Sequence, residues 1–257
     1  MSLYCFTIDD NILFLRDLQK EGIESLFDHP YTAMLKRLHE RFDLKIQLNL
    51  FYETEGFCLA DLSDRYRDDF AACADWLKLS FHSKENHPPH PYATSEYAEV
   101  YADGEAVQRE ILRFAGAASL ATTTTVHYCS TTRAGAAALA DLGVRGLLGL
   151  FGSDDAPRTS YSLPEELGAR LRRGEILSTE GVAYASLDLV VNCFQKEQLL
   201  PTLRAILPRD TLRIMIHEQY FRRELYYFQP DFEEKLVTVF SYLEDLGFKS
   251  RFFEEML

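Results

Sequence analysis

Short apolar runs alternate with amphipathic stretches along the whole chain, and this alternation predicts strands separated by helices. The clearest strand pattern lies at residues 43–52, where leucine or isoleucine at every second position alternates with lysine, glutamine and asparagine. Further apolar runs of strand length predict strands at residues 3–8, 77–81, 122–128, 145–150, 187–193, 211–216 and 248–252.

Between these runs, apolar residues recur at helical spacing at residues 31–42, 105–114, 133–142, 195–206 and 232–246. Gly116, Gly143 and Gly247 follow three of these segments and predict where the helices end. Strands that are connected through helices pair in parallel, because a helical crossover returns the chain to the same end of the sheet. The pattern therefore predicts an α/β fold with a single domain over residues 1–257, a (β/α) barrel of seven or eight strands. An open doubly wound sheet is the alternative.

Two long segments do not fit a minimal barrel. Residues 87–101 are rich in proline and tyrosine, and residues 152–184 form an elaboration between predicted strands. Loops of this kind at a barrel rim usually shape a substrate site. Tyrosines in these segments are therefore candidates to stack on sugar rings, or simply to pack against the barrel: Tyr92, Tyr97, Tyr101 and Tyr161.

Composition narrows the classes of partner. The 257 residues carry a formal net charge of -13, which disfavours nucleic acid and anionic membrane surfaces and leaves small-molecule or carbohydrate substrates. No apolar run approaches the ~20 residues of a membrane span. No secretory signal is visible either, so we expect a cytoplasmic protein. The alternative is that a leader peptide has been removed and that the first three residues replace it. The five cysteines lack CxxC spacing, which argues against a disulfide framework and a structural zinc knot. The sequence does not indicate an oligomeric state.

Titratable side chains recur where predicted strands end. Asp9 and Asp10 follow the first strand, His82 follows the third, His127 lies near the end of the fourth, and His217 follows the seventh. Barrels assemble their active sites at this carboxyl-terminal rim. We therefore interpret these residues as one site, although each has a plainer explanation as a helix cap, a surface loop residue or a core histidine.

Two histidines point to a metal. His82 and His87 lie within one turn and, joined by one carboxylate, would form a set suited to Zn²⁺ or a similar divalent ion. The alternative is a loop rich in surface histidines, as His90 illustrates. His217 ends a buried strand, and its ordinary pKa near ~6.5 suits a general acid.

The ordered motifs resemble the polysaccharide deacetylase superfamily, also called the NodB-homology family or carbohydrate esterase family four. Thr7-Ile8-Asp9-Asp10 is similar to the family's Thr-Phe-Asp-Asp. His82-Ser83 through His87-Pro88 resembles its His-Ser/Thr-x-x-His-Pro, and Ile214 through His217 resembles its closing Leu-x-His strand. The resemblance spans nearly the whole chain and implies a distorted (β/α) barrel.

The resemblance also implies roles. Asp9 would be the general base and His217 the general acid, while Asp10, His82 and His87 would bind a divalent metal, Zn²⁺ by preference. The backbone N–H of Tyr128 would contact the substrate oxyanion. His127, which stands where the family has its arginine segment, would be a substrate contact or an additional metal ligand. The implied activity is removal of an acetyl group from an N-acetylated sugar or a related amide.

The chain also departs from the family. The step from His82 to His87 is one residue longer, so His90 could replace His87, and the arginine expected after the fourth strand is absent. The family's fourth motif, which ends in tryptophan, is missing, because the only tryptophan is Trp76. These departures predict a divergent member. They leave two alternatives, a catalytically inactive carbohydrate-binding barrel and a glycosidase that uses carboxylates such as Asp9 and Glu218.

Overall fold

The computed structural model describes residues 2–153, 155–156, 158–207 and 209–257. Its strands are β1 (Leu3–Asn11), β2 (Ile46–Phe51), β3 (Glu53–Thr54), β4 (Phe57–Cys58), β5 (Leu77–Ser83), β6 (Thr123–Thr124), β7 (Gly146–Gly149), β8 (Leu177–Thr179), β9 (Val182–Ser186), β10 (Leu189–Val190), β11 (Thr211–His217) and β12 (Lys249–Ser250). Its α-helices are α1 (Leu13–Lys20), α2 (Pro30–Phe42), α3 (Arg67–Ala72), α4 (Tyr97–Phe114), α5 (Arg133–Asp141), α6 (Glu165–Arg172), α7 (Lys196–Ile206) and α8 (Phe232–Asp245).

Two largely parallel sheets make up the centre of the fold. One has the order β10-β11-β1-β2-β5, with β12 beside the start of β1, and the other has the order β6-β7-β9-β8. The sheets meet at both edges. Leu79 of β5 forms a parallel bridge with Leu120, just before β6, and at the other edge the chain runs from β9 into β10, where the Asp188 N–H donates to the carbonyl of Arg213 in β11. This arrangement confirms the predicted α/β barrel, in distorted form.

Alternation along each strand separates an outer layer from the barrel interior. On β1, Tyr4 and Phe6 face outward and pack on Phe240 of α8, with ring centroids 5.7 and 5.0 Å apart. The interior holds a small apolar cluster towards one end, formed by Cys5, Leu148, Ala185, Leu187, Val190, Met215 and Phe253. Polar side chains of β2 and β5 fill the rest, and they lead to the carboxyl-terminal rim.

Several predicted bounds differ from those observed. Helix α4 begins at Tyr97, before the predicted residue 105, and so absorbs the end of the supposed rim loop. A glycine concealed this helix: at Gly104 an added Cβ would lie 2.7 Å from Leu142 Cδ1, at the end of a side chain that would have to move, so glycine favours the close approach of α4 to the end of α5. The strand predicted at residues 122–128 is only two residues long, because the chain leaves the sheet after Thr124. Residues 152–184 contain helix α6 and a β8–β9 hairpin.

None of the helices in the described part of the chain is both long enough and apolar enough to cross a membrane.

Candidate active site

A kink in β1 turns two adjacent carboxylates into one cavity. Neighbouring residues of a regular strand face opposite sides, but the register of β1 on β2 shifts between Ile8 and Asn11, and Asp10 adopts φ +61°. Asp9 and Asp10 therefore both line the cavity at the rim. We expected the strand to stop at Ile8 to achieve this; instead it continues to Asn11 through a β-bulge. The Asn11 amide holds the bulge by donating to the Ile8 carbonyl at 2.6 Å.

Asp10, His82 and His127 bring three ligand atoms together. Asp10 Oδ1 lies 3.0 Å from His82 Nε2 and 3.3 Å from His127 Nδ1, and the two ring nitrogens are 3.0 Å apart. All three side chains are buried. Histidine, cysteine and acidic side chains can all bind metal ions. Among those of the described residues, Asp10, His82 and His127 form a group that is compact enough to hold one ion.

In each imidazole, the ring nitrogen that points away from Asp10 has a hydrogen bond that fixes the tautomer. His82 Nδ1 meets the Thr125 carbonyl, and His127 Nε2 lies 3.2 Å from the Asn86 carbonyl. A carbonyl only accepts hydrogen bonds, so these ring nitrogens carry the protons. In the neutral rings, His82 Nε2 and His127 Nδ1 therefore direct lone pairs at the same carboxylate oxygen. Metal-binding histidines usually have such outer hydrogen bonds.

The pKa shifts of Asp10 and His82 favour a positive charge between the three side chains. Burial opposes ionisation of Asp10, but the adjacent His127 and His82 rings, which donate to the carboxylate when they are protonated, outweigh burial and hold the pKa of this carboxyl well below its usual range. Burial also opposes a charged His82 ring, yet the Asp9 and Asp10 carboxylates raise its pKa. Burial lowers the pKa of His127, which keeps a neutral imidazole available as a ligand.

The three residues fit a divalent metal of the zinc type. Zn²⁺ bonds of ~2.0–2.2 Å to nitrogen and oxygen place tetrahedral ligand atoms about 3.3 Å apart, close to the separations here. Two imidazoles and one carboxylate are also a donor set that zinc accepts while keeping a position open for water and substrate.

His87, the predicted third ligand, does not join this group. It lies exposed in the loop after β5 and only lines the cavity mouth. With one residue more than the family spacing, the turn presents the Asn86 carbonyl to His127 and leaves His87 outside it. His90 does not replace it either, since its ring lies against Tyr128, with centroids 4.4 Å apart. His127 is the third member of the group; from the sequence it was expected to be a substrate contact or an additional ligand.

Asp9 is held by a buried amide. Asn49 Nδ2 donates to Asp9 Oδ1 at 2.5 Å. The orientation of this amide is determined, because Asn49 Oδ1 accepts from Gln47 Nε2 at 2.7 Å and from the Ser80 hydroxyl at 2.5 Å. Burial raises the pKa of Asp9, and the His82 charge and the Asn49 bond offset part of that rise. Asn49 thus orients the Asp9 carboxylate, and the polar face of β2 was its signal in the sequence.

His217 is the neighbour of Asp9 across the strand pair β1 and β11. Its Nδ1 lies 2.9 Å from Asn192 Oδ1, an amide oxygen that can only accept. Nδ1 therefore carries a proton, and the ring is oriented with its other nitrogen available to the cavity it lines.

Glu218 follows His217 but serves another purpose. Its carboxylate accepts three backbone N–H groups at the start of α1, from Ile12 at 2.9 Å, Leu13 at 3.0 Å and Phe14 at 2.7 Å. It is fully buried and is not among the cavity-lining residues. The geometry therefore does not support a glycosidase in which Glu218 pairs with Asp9.

The rim cavity has a volume of about 340 Å³. Besides the expected residues, its lining includes several that the sequence reasoning missed: Thr125, Cys129, Arg158, Cys193, Tyr220 and Tyr227. Two of the tyrosines proposed from the sequence, Tyr92 and Tyr161, are instead buried in the core. A larger hollow of about 640 Å³ lies on the outside, between α1, α2 and the segment before α8, and holds none of the predicted site residues.

No protein-family model and no curated protein sequence matches this chain. Solved structures do. A family 4 acetyl xylan esterase from Clostridium thermocellum, in complex with a cobalt ion, superposes with a TM-score of 0.53 at 14% identity over 98% of this chain and 89% of that one. A peptidoglycan N-acetylglucosamine deacetylase gives 0.55 at 10% identity over 99% and 87%.

A 4-alpha-glucanotransferase from Thermococcus litoralis gives a TM-score of 0.63 at 9% identity, over 99% of this chain but only 40% of that one. At such identities the likeness shows the fold. The barrel implied by the resemblance to carbohydrate esterase family four is thereby confirmed, and the function has to be argued from the site.

Proposed function

We propose that this protein is a metal-dependent hydrolase, a deacetylase that removes an acetyl group from an N-acetylated sugar or a related amide. One observation carries the proposal: three buried ligand atoms of Asp10, His82 and His127 converge within 3.3 Å, with both imidazoles oriented by backbone carbonyls. Lone pairs brought this close repel one another unless a cation lies between them.

Asp10, His82 and His127 would hold the metal, with Zn²⁺ as the best fit to the donor set. When bound there, such an ion lowers the pKa of water and polarises a carbonyl group. This assignment keeps two of the three ligands expected from the sequence and replaces His87 with His127. The cobalt ion in the acetyl xylan esterase supports a divalent metal in this fold.

Asp9 acts as the general base in this proposal. It lines the cavity beside Asp10, and the Asn49 N–H keeps one carboxylate oxygen fixed so that the other can accept a proton from the attacking water. Its burial raises the affinity of the carboxylate for that proton. Asn49 is therefore a positioning residue.

His217 acts as the general acid and Tyr128 supplies the oxyanion contact. With its Nδ1 proton committed to Asn192, His217 delivers a proton from Nε2 to the leaving amine. The Tyr128 backbone follows His127 in a left-handed turn, φ +59°, at the cavity wall. Its N–H is the donor that we assign to the developing oxyanion.

The cavity and the comparisons support the proposed substrate class. The structural neighbours include an acetyl xylan esterase and an N-acetylglucosamine deacetylase, whose names support a carbohydrate substrate. The cavity volume suits one sugar ring with its acetamido group.

Acetate release tests the proposal. Zinc-loaded protein should release acetate from N-acetylglucosamine or its tetramer, and chelation should abolish the release. Asp9→Asn should lower kcat by about 10²–10⁴-fold with the metal retained. A zinc-loaded protein that leaves both compounds intact would overturn the deacetylase and favour the inactive carbohydrate-binding barrel.

A further inference from the structure

The turn that carries His127 and Tyr128 holds two consecutive residues in the left-handed region of backbone space. Tyr128 has φ +59° and Cys129 has φ +53°. Residues with a Cβ atom rarely adopt positive φ, so two in succession persist only where their surroundings hold them. The turn closes on itself through the Cys129 N–H, which donates to the Val126 carbonyl at 2.7 Å. Further support has to come from outside the turn.

The elaboration between β7 and β8 supplies that support. Arg158 Nη2 donates to the Tyr128 carbonyl at 2.8 Å. The Tyr161 N–H donates to the Cys129 carbonyl at 3.1 Å, and Tyr161 Oη accepts from the Val126 N–H at 3.2 Å. The turn is thus bound at its first, third and fourth residues. We call Arg158 and Tyr161 the turn clamp.

The turn clamp is itself anchored to the barrel. Tyr161 is buried, its hydroxyl donates to the Leu148 carbonyl of β7, and its ring centroid lies 5.6 Å from that of Tyr184 in β9. The Arg158 N–H donates to the carbonyl of Phe151, shortly after β7, at 3.0 Å. The turn is therefore held in a fixed place relative to the sheet that contains β7 and β9.

Arg158 also reaches the catalytic cavity. Among the described residues that line the rim cavity, it is the single arginine or lysine. A cation at this place either binds an anionic group of the substrate or orients the backbone beside it. The hydrogen bond of its guanidinium to the Tyr128 carbonyl favours the second use.

The backbone that Arg158 holds is the one to which the proposed function gives the oxyanion contact. A donor of this kind works only when it lies about 2.7–3.1 Å from the developing oxyanion, so its direction has to be set before the reaction begins. The direction of the Tyr128 N–H depends on the left-handed φ of that residue. Without the bond to its carbonyl, Tyr128 would be freer to relax towards negative φ, and its N–H would turn away.

We propose that Arg158 is a positioning residue for the oxyanion contact, acting through the backbone of Tyr128. The inference rests on the proposed function and deepens it, because it gives the elaboration between β7 and β8 a part in the reaction. His127 depends less on Arg158, since its ring is oriented by the Asn86 carbonyl and faces Asp10.

Arg158→Met tests the assignment, because methionine keeps an unbranched side chain and removes every donor. An oxyanion contact strengthens in the transition state, so kcat of the zinc-loaded protein on the N-acetylglucosamine tetramer should fall by about 10–100-fold. KM and zinc content should stay close to those of the parent protein. Arg158→Lys keeps a donor and should recover part of kcat. Arg170→Gln, which alters an exposed arginine of α6 paired with Glu175, is the matched control and should change none of these quantities.

The kinetic outcomes distinguish the two uses of the cation. A raised KM with unchanged kcat in Arg158→Met would show a substrate-binding cation and would overturn the positioning role. A kcat loss that is matched by loss of zinc, or one that Arg158→Lys does not reduce at all, would overturn it as well.

A crystal structure of the Arg158→Met protein separates this proposal from the proposed function, because it does not depend on activity. Tyr128 should keep its positive φ in the parent protein and lose it in the variant. That change, in a protein whose parent releases no acetate, would keep the hold of Arg158 on the turn and remove the deacetylase. Acetate release by the parent, with Tyr128 and kcat both unaltered in Arg158→Met, would overturn the role of Arg158 and keep the deacetylase.

Discussion

His82 Nε2 lies 3.0 Å from His127 Nδ1, and both nitrogens face Asp10 Oδ1. The two imidazoles come from the end of β5 and from the turn after β6, so two neighbouring strand ends supply them. Each is oriented from behind by a backbone carbonyl, which leaves the facing nitrogens unprotonated in the neutral rings. This relationship defines the site more sharply than any single motif, and the proposed role of His127 as a metal ligand rests on it.

The first prediction concerns Asn49. Its side chain donates a hydrogen bond to Asp9, and among the described contacts it has none with the proposed metal ligands Asp10, His82 and His127. Asn49→Leu should lower kcat by about 10–100-fold, since a misoriented base costs part of the 10²–10⁴-fold that such a group contributes. KM and metal content should change little. Steady-state kinetics and metal analysis of the same preparation measure both.

Thr123→Val is the matched control for Asn49. The buried Thr123 hydroxyl belongs to the same interior network, since it donates to Gln47 Oε1, but it has no hydrogen bond to Asn49 or Asp9 among the described residues. This substitution should lower the free energy of unfolding and leave kcat much closer to that of the parent protein. Equal kcat losses in the two variants would show that the Asn49 effect is general damage to the barrel interior.

Glu218 gives a prediction about stability rather than chemistry. Its carboxylate accepts three backbone N–H groups at the start of α1, so Glu218→Gln should lower the free energy of unfolding by about 1–3 kcal/mol. Acetate release should persist in the folded variant. Complete loss of activity with normal stability and normal metal content would instead give Glu218 the direct role that the glycosidase alternative requires.

Glu254 gives a prediction about pH. Burial opposes its ionisation, but Lys78 at 2.5 Å and the Thr122 N–H at 2.6 Å outweigh burial and lower its pKa. The ionised form therefore stabilises the fold above the ordinary carboxyl pKa near ~4.3, and this stabilisation is lost as pH falls through the lower folded-state pKa. Glu254→Gln should cost about 1–2 kcal/mol at pH 7.

Denaturant unfolding at several pH values measures this cost. The difference between parent and Glu254→Gln should be full above about pH 5 and shrink in more acidic buffer. Glu234→Gln alters an exposed carboxylate that pairs with Lys196, and it should have little effect at any pH. A Glu254→Gln difference that grows as pH falls would contradict the assigned direction of the pKa shift.

Much of the fold could be predicted because each strand has a repeating pattern. Ile46, Leu48 and Leu50 face the helices, and Gln47 and Asn49 face the barrel interior. The residues that the sequence predicts at strand ends lie at the carboxyl-terminal rim, as expected. Asp9, Asp10, His82, His127 and His217 all line one cavity.

The rest of the candidate site depends on loop geometry, which leaves no repeating pattern in the sequence. Whether His87 or His127 completes the group is decided by one extra residue in the turn after β5 and by the chain leaving β6 after Thr124. The position of Tyr227 in the cavity lining could not be predicted for a similar reason. Tyr227 lies in a loop whose direction is set by distant hydrogen bonds of Gln229.

Metal content per chain tests the central claim most directly. Purified parent protein, His82→Ala, His127→Ala and His87→Ala would be dialysed against excess Zn²⁺, freed of loosely bound ion, and measured by mass spectrometry of the metal. The parent protein and His87→Ala should each retain about one zinc per chain, whereas His82→Ala and His127→Ala should retain almost none. Zinc that is lost in His87→Ala but kept in His127→Ala, or a parent protein that binds none, would contradict the proposed site.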